Sequence, residues 1–92
     1  MILSYKHKGI ARFAVKGDPK GIANNHRNRI KNVLSRLAAI TKSEQMDIPG
    51  YHFHPLKGPL NGYFSIKISE NWRITFKMDG ENVSDVDYID YH

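Results

Sequence analysis

Three short stretches hold most of the side chains that can move protons or grip phosphate. The first is Tyr51-His52-Phe53-His54-Pro55-Leu56-Lys57-Gly58, the second Asn71-Trp72-Arg73, and the third Asp90-Tyr91-His92. Cleavage of an RNA phosphodiester makes demands that such a set can meet. A 2′-OH must lose a proton as it attacks phosphorus, and the leaving 5′ oxygen must gain one. Histidine titrates nearest neutrality, so His54 and His92 suit proton transfer. Lys57 and Arg73 can offset the charge that builds on the phosphoryl oxygens. Tyr91 can stack on a base or donate a hydrogen bond, and Asp90 can orient a histidine or take a proton itself. No metal is needed, because the nucleophile belongs to the substrate.

Each residue also has a plainer reading. His52 alternates with Phe53 on an expected strand and is assigned no role. His54 before Pro55 could be an ordinary loop histidine, and Lys57 beside Gly58 a turn lysine. Arg73 could do no more than pair with a carboxylate across a sheet. His54, Asp90 and His92 could in principle bind a metal, but the spacing is weak evidence and no cysteine helps; no metal or other cofactor is expected. His26 reads as a core-edge histidine. Trp72, Tyr63 and Phe76 read as core.

The elements that must position these groups follow from periodicity. Residues 1–5 read as a short opening strand. Ile10, Phe13 and Ala14 then recur at helical spacing until Gly17-Asp18-Pro19-Lys20-Gly21 breaks the chain. Ala23, His26, Ile30, Val33, Leu34, Leu37 and Ala38 form a second apolar stripe, with Arg27, Lys31, Ser35 and Arg36 outside it. This helix could start at Asp18-Pro19 or at an Asn24 cap, and the later start is preferred. Thr41-Lys42-Ser43-Glu44 resembles a capping box, and Asp47-Ile48-Pro49-Gly50 ends helical structure. Beyond Gly50 the period becomes two. Phe64, Ile66 and Ile68 alternate with Ser65 and Lys67; Trp72, Ile74, Phe76 and Met78 alternate with Arg73, Thr75 and Lys77. Asp79-Gly80 is a hairpin signal before a last strand from about Val83 to Ile89. The expected fold is α+β, one domain over residues 1–92, with helices on one face of a mainly antiparallel sheet that the first strand joins.

A chain of 92 residues has room for one core. It has no cysteine, which removes disulfide and thiolate chemistry and makes a reducing cytoplasm the default. No apolar run spans a membrane or reads as a signal sequence. The net charge is +5, unevenly spread: residues 1–42 hold ten Lys and Arg against Asp18 alone, and residues 43–92 hold four against eight Asp and Glu. A basic half suits a polyanion, whether RNA, DNA or an acidic protein.

Five strings in order, Ser4-Tyr5-Lys6-His7-Lys8-Gly9, His54-Pro55-Leu56-Lys57-Gly58, Gly62-Tyr63-Phe64-Ser65-Ile66, Asn71-Trp72-Arg73-Ile74-Thr75-Phe76 and Asp90-Tyr91-His92, resemble the HigB toxins of the RelE/ParE superfamily. The likeness runs the length of the chain; where the family often has Trp after the tyrosine, Phe64 stands here. It implies a RelE-like fold and ribosome-dependent cleavage of messenger RNA. It implies catalysis by His54, Asp90, Tyr91 and His92, with Lys57 and Arg73 on phosphate. It also implies neutralisation by a HigA-like helix-turn-helix antitoxin, with operator DNA bound only through the pair. Lys6, Lys8, Arg12, Arg27 and Lys31 would then dock on ribosomal RNA. The alternative on the same fold is a toxin without nuclease activity, such as a ParE-like gyrase inhibitor, or a degenerate RNA- or antitoxin-binding module. A DNA-binding regulator ranks last, since it has no use for the terminal triplet.

Overall fold

The computed structural model describes residues 1–91; His92 lies outside them. Helix α1 spans Lys8–Lys16. It begins where the His7 ring takes the place of a Ser or Asp cap: the Ile10 N–H donates to His7 Nδ1 at 3.1 Å. It ends at Gly17, whose φ of 69° returns the chain through a left-handed turn that closes onto the carbonyls of Arg12 and Phe13. A 3₁₀ turn at Asn24–His26 leads into helix α2, Arg27–Leu37. The later start is therefore the observed one, but Asn24 is not its cap. Ala23 and Ala38 flank the helical stretch and stay exposed, so the buried stripe is narrower than the periodicity suggests. The box after α2 closes through Gln45 rather than Glu44: Gln45 Oε1 accepts from the backbone N–H groups of Thr41 and Lys42.

The sheet has four strands in chain order: β1 (His54–Pro55), β2 (Phe64–Lys67), β3 (Trp72–Asp79) and β4 (Asn82–Asp90), each antiparallel to the next. The opening segment joins beyond β4 through two isolated parallel bridges, Ile2 to Val83 and Tyr5 to Val86. It is a cover for the edge of β4 and not a continuous strand. Both helices lie on one face. Ile10, Ile30, Val33 and Leu37 pack there with Ile66, Ile74, Phe76, Val83 and Val86, all fully or almost fully buried. At the rim of this core, His26 is 5% exposed and its Nδ1 is hydrogen-bonded to the Tyr88 hydroxyl. Trp72 packs against Tyr88, and burial raises the Tyr88 phenol above its ordinary value.

Two irregularities shape the opposite face. His52 has a φ of 48°, so the chain turns there and strand pairing starts only at His54. From α2, Arg29 donates through Nε to the Lys67 carbonyl and through Nη2 to the Gly50 carbonyl, and it lies over the Tyr51 ring. One guanidinium thus ties the helix to the loop that delivers His54.

The second irregularity is a bulge in β4. The register slips between Thr75 and Lys77, and Asp85 takes a φ of 53°. Four contacts from three side chains hold it there. The Tyr63 hydroxyl donates to Asp85 Oδ2 at 2.9 Å, Ser4 Oγ donates to Oδ1 at 3.2 Å, the Asp85 N–H donates back to Ser4 Oγ, and Lys77 Nζ lies 3.5 Å from Oδ2. The Tyr63 bond is the main cause of a carboxyl held below its ordinary 3.8. A lowered folded value stabilises the fold above pH 3.8, and that contribution is lost as pH falls through the folded value. Asp85→Asn tolerates the left-handed backbone but removes the charge. Its thermal midpoint should lie below wild type near neutrality, with the gap closing as pH drops below 3.8. A gap that stays constant with pH would mean that the ionised carboxylate adds nothing.

Candidate active site on the open face

Pleating sends alternate residues to opposite faces, and directly paired residues share a face. With Ile66, Ile74 and Phe76 under the helices, the partners His54↔Ser65, Ser65↔Thr75 and Thr75↔Asp87 form a row across the other, helix-free face. Lys67, Arg73 and Ile89 form the next row toward the end of β4. On the opposite side of the His54 row stand Tyr63, Lys77 and the Ser84–Asp85 bulge, with Leu56 beside Tyr63 through the Leu56 N–H to Tyr63 carbonyl bond. Leu56 is buried yet lies outside the main core. Ser65 and Thr75 are 2% and 3% exposed although no helix covers them. They are short, and the longer side chains around them rise as walls. Ser65 and Thr75 form the covered middle of this open face.

His54 occupies the β1 wall and is exposed. Its Nδ1 lies 2.9 Å from the His52 carbonyl. A carbonyl oxygen only accepts, so in the neutral ring Nδ1 carries the proton and Nε2 is the basic nitrogen. His52, which the sequence leaves without a role, sets this tautomer through its backbone, and its left-handed conformation is what aims the carbonyl. Lys57 is exposed three residues on, at the start of the 3₁₀ turn Gly58–Leu60.

Arg73 stands two strands away from His54. Its Nη1 donates to the carbonyls of Ser69, Glu70 and Trp72, which locks the guanidinium over the β2–β3 turn. The Tyr91 ring lies 6.0 Å from that guanidinium and is 45% exposed, not part of the core. Tyr91 N–H still bonds to the Asn71 carbonyl, so the ladder persists past the last strand residue. The alternation of Asp90, Tyr91 and His92 predicts a twist or fray that lets all three reach the substrate, and up to residue 91 the chain shows none. Asp90 is exposed and pairs with Trp72, on the pleat that leads to the helix side, while Tyr91 follows Ile89 onto the open face. His92, expected to share proton transfer with His54, lies outside the described residues.

Of the cations assigned to docking, Lys8 and Lys31 are exposed on α1 and α2. Arg12 and Arg27 are half-buried; Arg12 Nε is shut off from solvent, and Arg27 Nε donates to the Ile22 carbonyl. Lys6 leaves the helices altogether and lies against Tyr63. Sequence reasoning passed over Lys67, Lys77 and Asp87 and read Tyr63 as core. All four are half-buried on the open face, and Tyr63 is not core. The alternation that places Arg73 there places the first three as well. Among the described residues no cluster of three or more His, Asp or Glu could hold a metal, and no helix is long and apolar enough to cross a membrane.

Comparison with known proteins agrees with this architecture. Residues 3–92 match the family described as the RelE-like toxin of the type II toxin–antitoxin system HigB. The endoribonuclease HigB of Proteus vulgaris is 37% identical over 92 residues, covering the whole of both chains. A chain of the YoeB–YefM complex from Staphylococcus aureus has the same fold, with a TM-score of 0.66 at 16% identity, over 100% of this chain and 95% of that one. The chain therefore belongs to the HigB-like toxins of type II toxin–antitoxin systems, on a RelE-like fold.

Proposed function

We propose that this toxin is an endoribonuclease that cuts messenger RNA in the ribosome, without a metal, and so stops translation. The observation that carries the reading is the His54 ring, whose Nδ1 proton is committed to a backbone carbonyl while Nε2 is left basic on the open face that also carries Arg73 and Tyr91. The name of the Proteus relative supports the same class of reaction.

In the proposed mechanism His54 and His92 form the proton-transfer pair. One accepts the proton of the ribose 2′-OH as that oxygen attacks phosphorus, and the other protonates the departing 5′ oxygen. Asp90 orients or shares this task, which from its place on the helix-side pleat requires the chain end to turn when substrate binds, and Tyr91 holds the nucleotide. Lys57 and Arg73 take the charge that grows on the non-bridging oxygens; a guanidinium already held by three carbonyls needs little reorganisation to do so. Exposed cations on the helices, Lys8 and Lys31 among them, dock on ribosomal RNA, and the ribosome presents the message in a cleavable shape. A HigA-like helix-turn-helix antitoxin neutralises the toxin, and the pair represses its own operon. The site of action is the cytoplasm.

Removing residues 90–92 tests the assignment. The truncated chain keeps its core and should fold, yet its expression should no longer arrest growth. Primer extension on cellular messages after brief induction of the full chain should reveal new 5′ ends inside reading frames. Intact messages with damaged chromosomes would instead indicate a gyrase-directed toxin. Growth arrest that survives the truncation would overturn the assigned site.

A further inference from the structure

At the end of the open face away from Arg73 and Tyr91, two lysines from distant parts of the chain converge on one ring. Lys6 Nζ lies 5.2 Å and Lys77 Nζ 5.8 Å from the centroid of Tyr63. The ring itself is fixed, because its hydroxyl donates to Asp85, and Asp85 is held in the bulge by Ser4 as well. Two ammonium groups therefore face solvent around a rigid aromatic, with one carboxylate whose oxygens are already engaged. Beside Lys77 in the register, Ser84 Oγ is buried with no hydrogen-bond partner among the described residues. This cluster lies one pleat repeat, about 6.7 Å, from the row that contains His54. That is about twice the rise of a stacked nucleotide, so an RNA strand crossing the His54 row reaches it within one or two nucleotides.

We propose that Lys6, Tyr63 and Lys77 form a second RNA subsite, in which the two lysines bind a phosphodiester neighbouring the scissile one and the tyrosine flanks its nucleoside. The proposal rests on the RNA-cleaving reading and extends it by giving the substrate a path along β3, with cations at both ends. Lysine suits this end: a flexible point charge follows a phosphate whose position varies with sequence, whereas the Arg73 end is rigid. The bulge has a purpose in this arrangement. It turns Asp85 so that one carboxylate holds both Tyr63 and Lys77, at a left-handed backbone conformation that Asp adopts more readily than most residues.

The test uses 2′-O-methyl oligonucleotides, which cannot be cut, and the full chain at low salt, read by fluorescence anisotropy. A tetranucleotide should bind more tightly than a dinucleotide. Combined Lys6→Ala and Lys77→Ala should weaken tetranucleotide binding about tenfold and leave the dinucleotide unchanged. The slope of log affinity against log salt should drop by about 0.7, the loss of one single-strand phosphate contact. Lys6→Arg with Lys77→Arg should retain binding, and an unchanged thermal midpoint in each variant excludes unfolding. Equal affinity of wild type for both lengths, or a salt slope unaltered by the double alanine change, would overturn the subsite. Tetranucleotide binding that responds as expected, in a protein that leaves ribosome-bound messages uncut, would retain the subsite and refute the nuclease reading.

Discussion

His54→Ala should lower the rate of message cleavage on ribosomes by about 10²–10⁴-fold, the usual worth of a positioned acid or base. The effect is expected to be purely chemical. His54 is exposed at the very start of a two-residue strand, and its ring is hydrogen-bonded to the backbone of its own loop. Nothing in the core leans on it, so circular dichroism and the thermal midpoint should match wild type. Single-turnover cleavage of a programmed ribosome gives the rate, and growth on induction gives the phenotype. His54→Asn is informative beside it: the amide can still donate to the His52 carbonyl but supplies no base, so it should be nearly as inactive. Full activity in His54→Asn would show that the ring only shapes the loop, and the proton-transfer role would then be wrong.

The largest effect on stability should come from Phe76→Ala. Phe76 is fully buried at the centre of the sheet's covered face, tilted against Phe64, which in turn stacks on Phe53. It also sits opposite the β4 bulge, where the ladder is interrupted and packing must hold the strands in register. Truncating such a ring typically costs about 3–5 kcal/mol, against a total of about 5–15 kcal/mol for a small domain. At about 4–8 °C per kcal/mol for this size, the thermal midpoint should fall by at least about 12 °C. Calorimetry measures it directly. A fall of only a few degrees would mean that the core collapses onto the vacancy, and that the register past the bulge is set by the Asp85 contacts and not by Phe76.

Much of this architecture is legible in the residues. The i, i+3, i+4 stripe of Ile30, Val33, Leu34 and Leu37 is enough to place α2. The alternation through Phe64–Lys67 and Trp72–Met78 is enough to pair two strands and to put Arg73 opposite the core. These patterns are local, because side-chain direction within a helix or strand depends only on backbone geometry. The five strings with their terminal Asp90-Tyr91-His92 carried the family. What alternation does not say is which face the helices cover, how far a strand extends, or which side chains from separate strands share a row.

Only the tertiary structure settled those points. Tyr63 has the character of a core residue, yet it stands on the open face, where Lys77 lies over its ring and its hydroxyl meets Asp85, a residue displaced by a bulge that no turn motif announces. Ser65 and Thr75 are ordinary polar strand residues until longer neighbours on three strands enclose them. His52 has an unremarkable sequence position, but its positive φ aims the carbonyl that sets the His54 tautomer, with Arg29 of α2 holding the same loop through Gly50. Each of these depends on contacts between residues far apart in the chain. Such contacts have no period, so they are visible only once the helices have docked and the strands have taken their register.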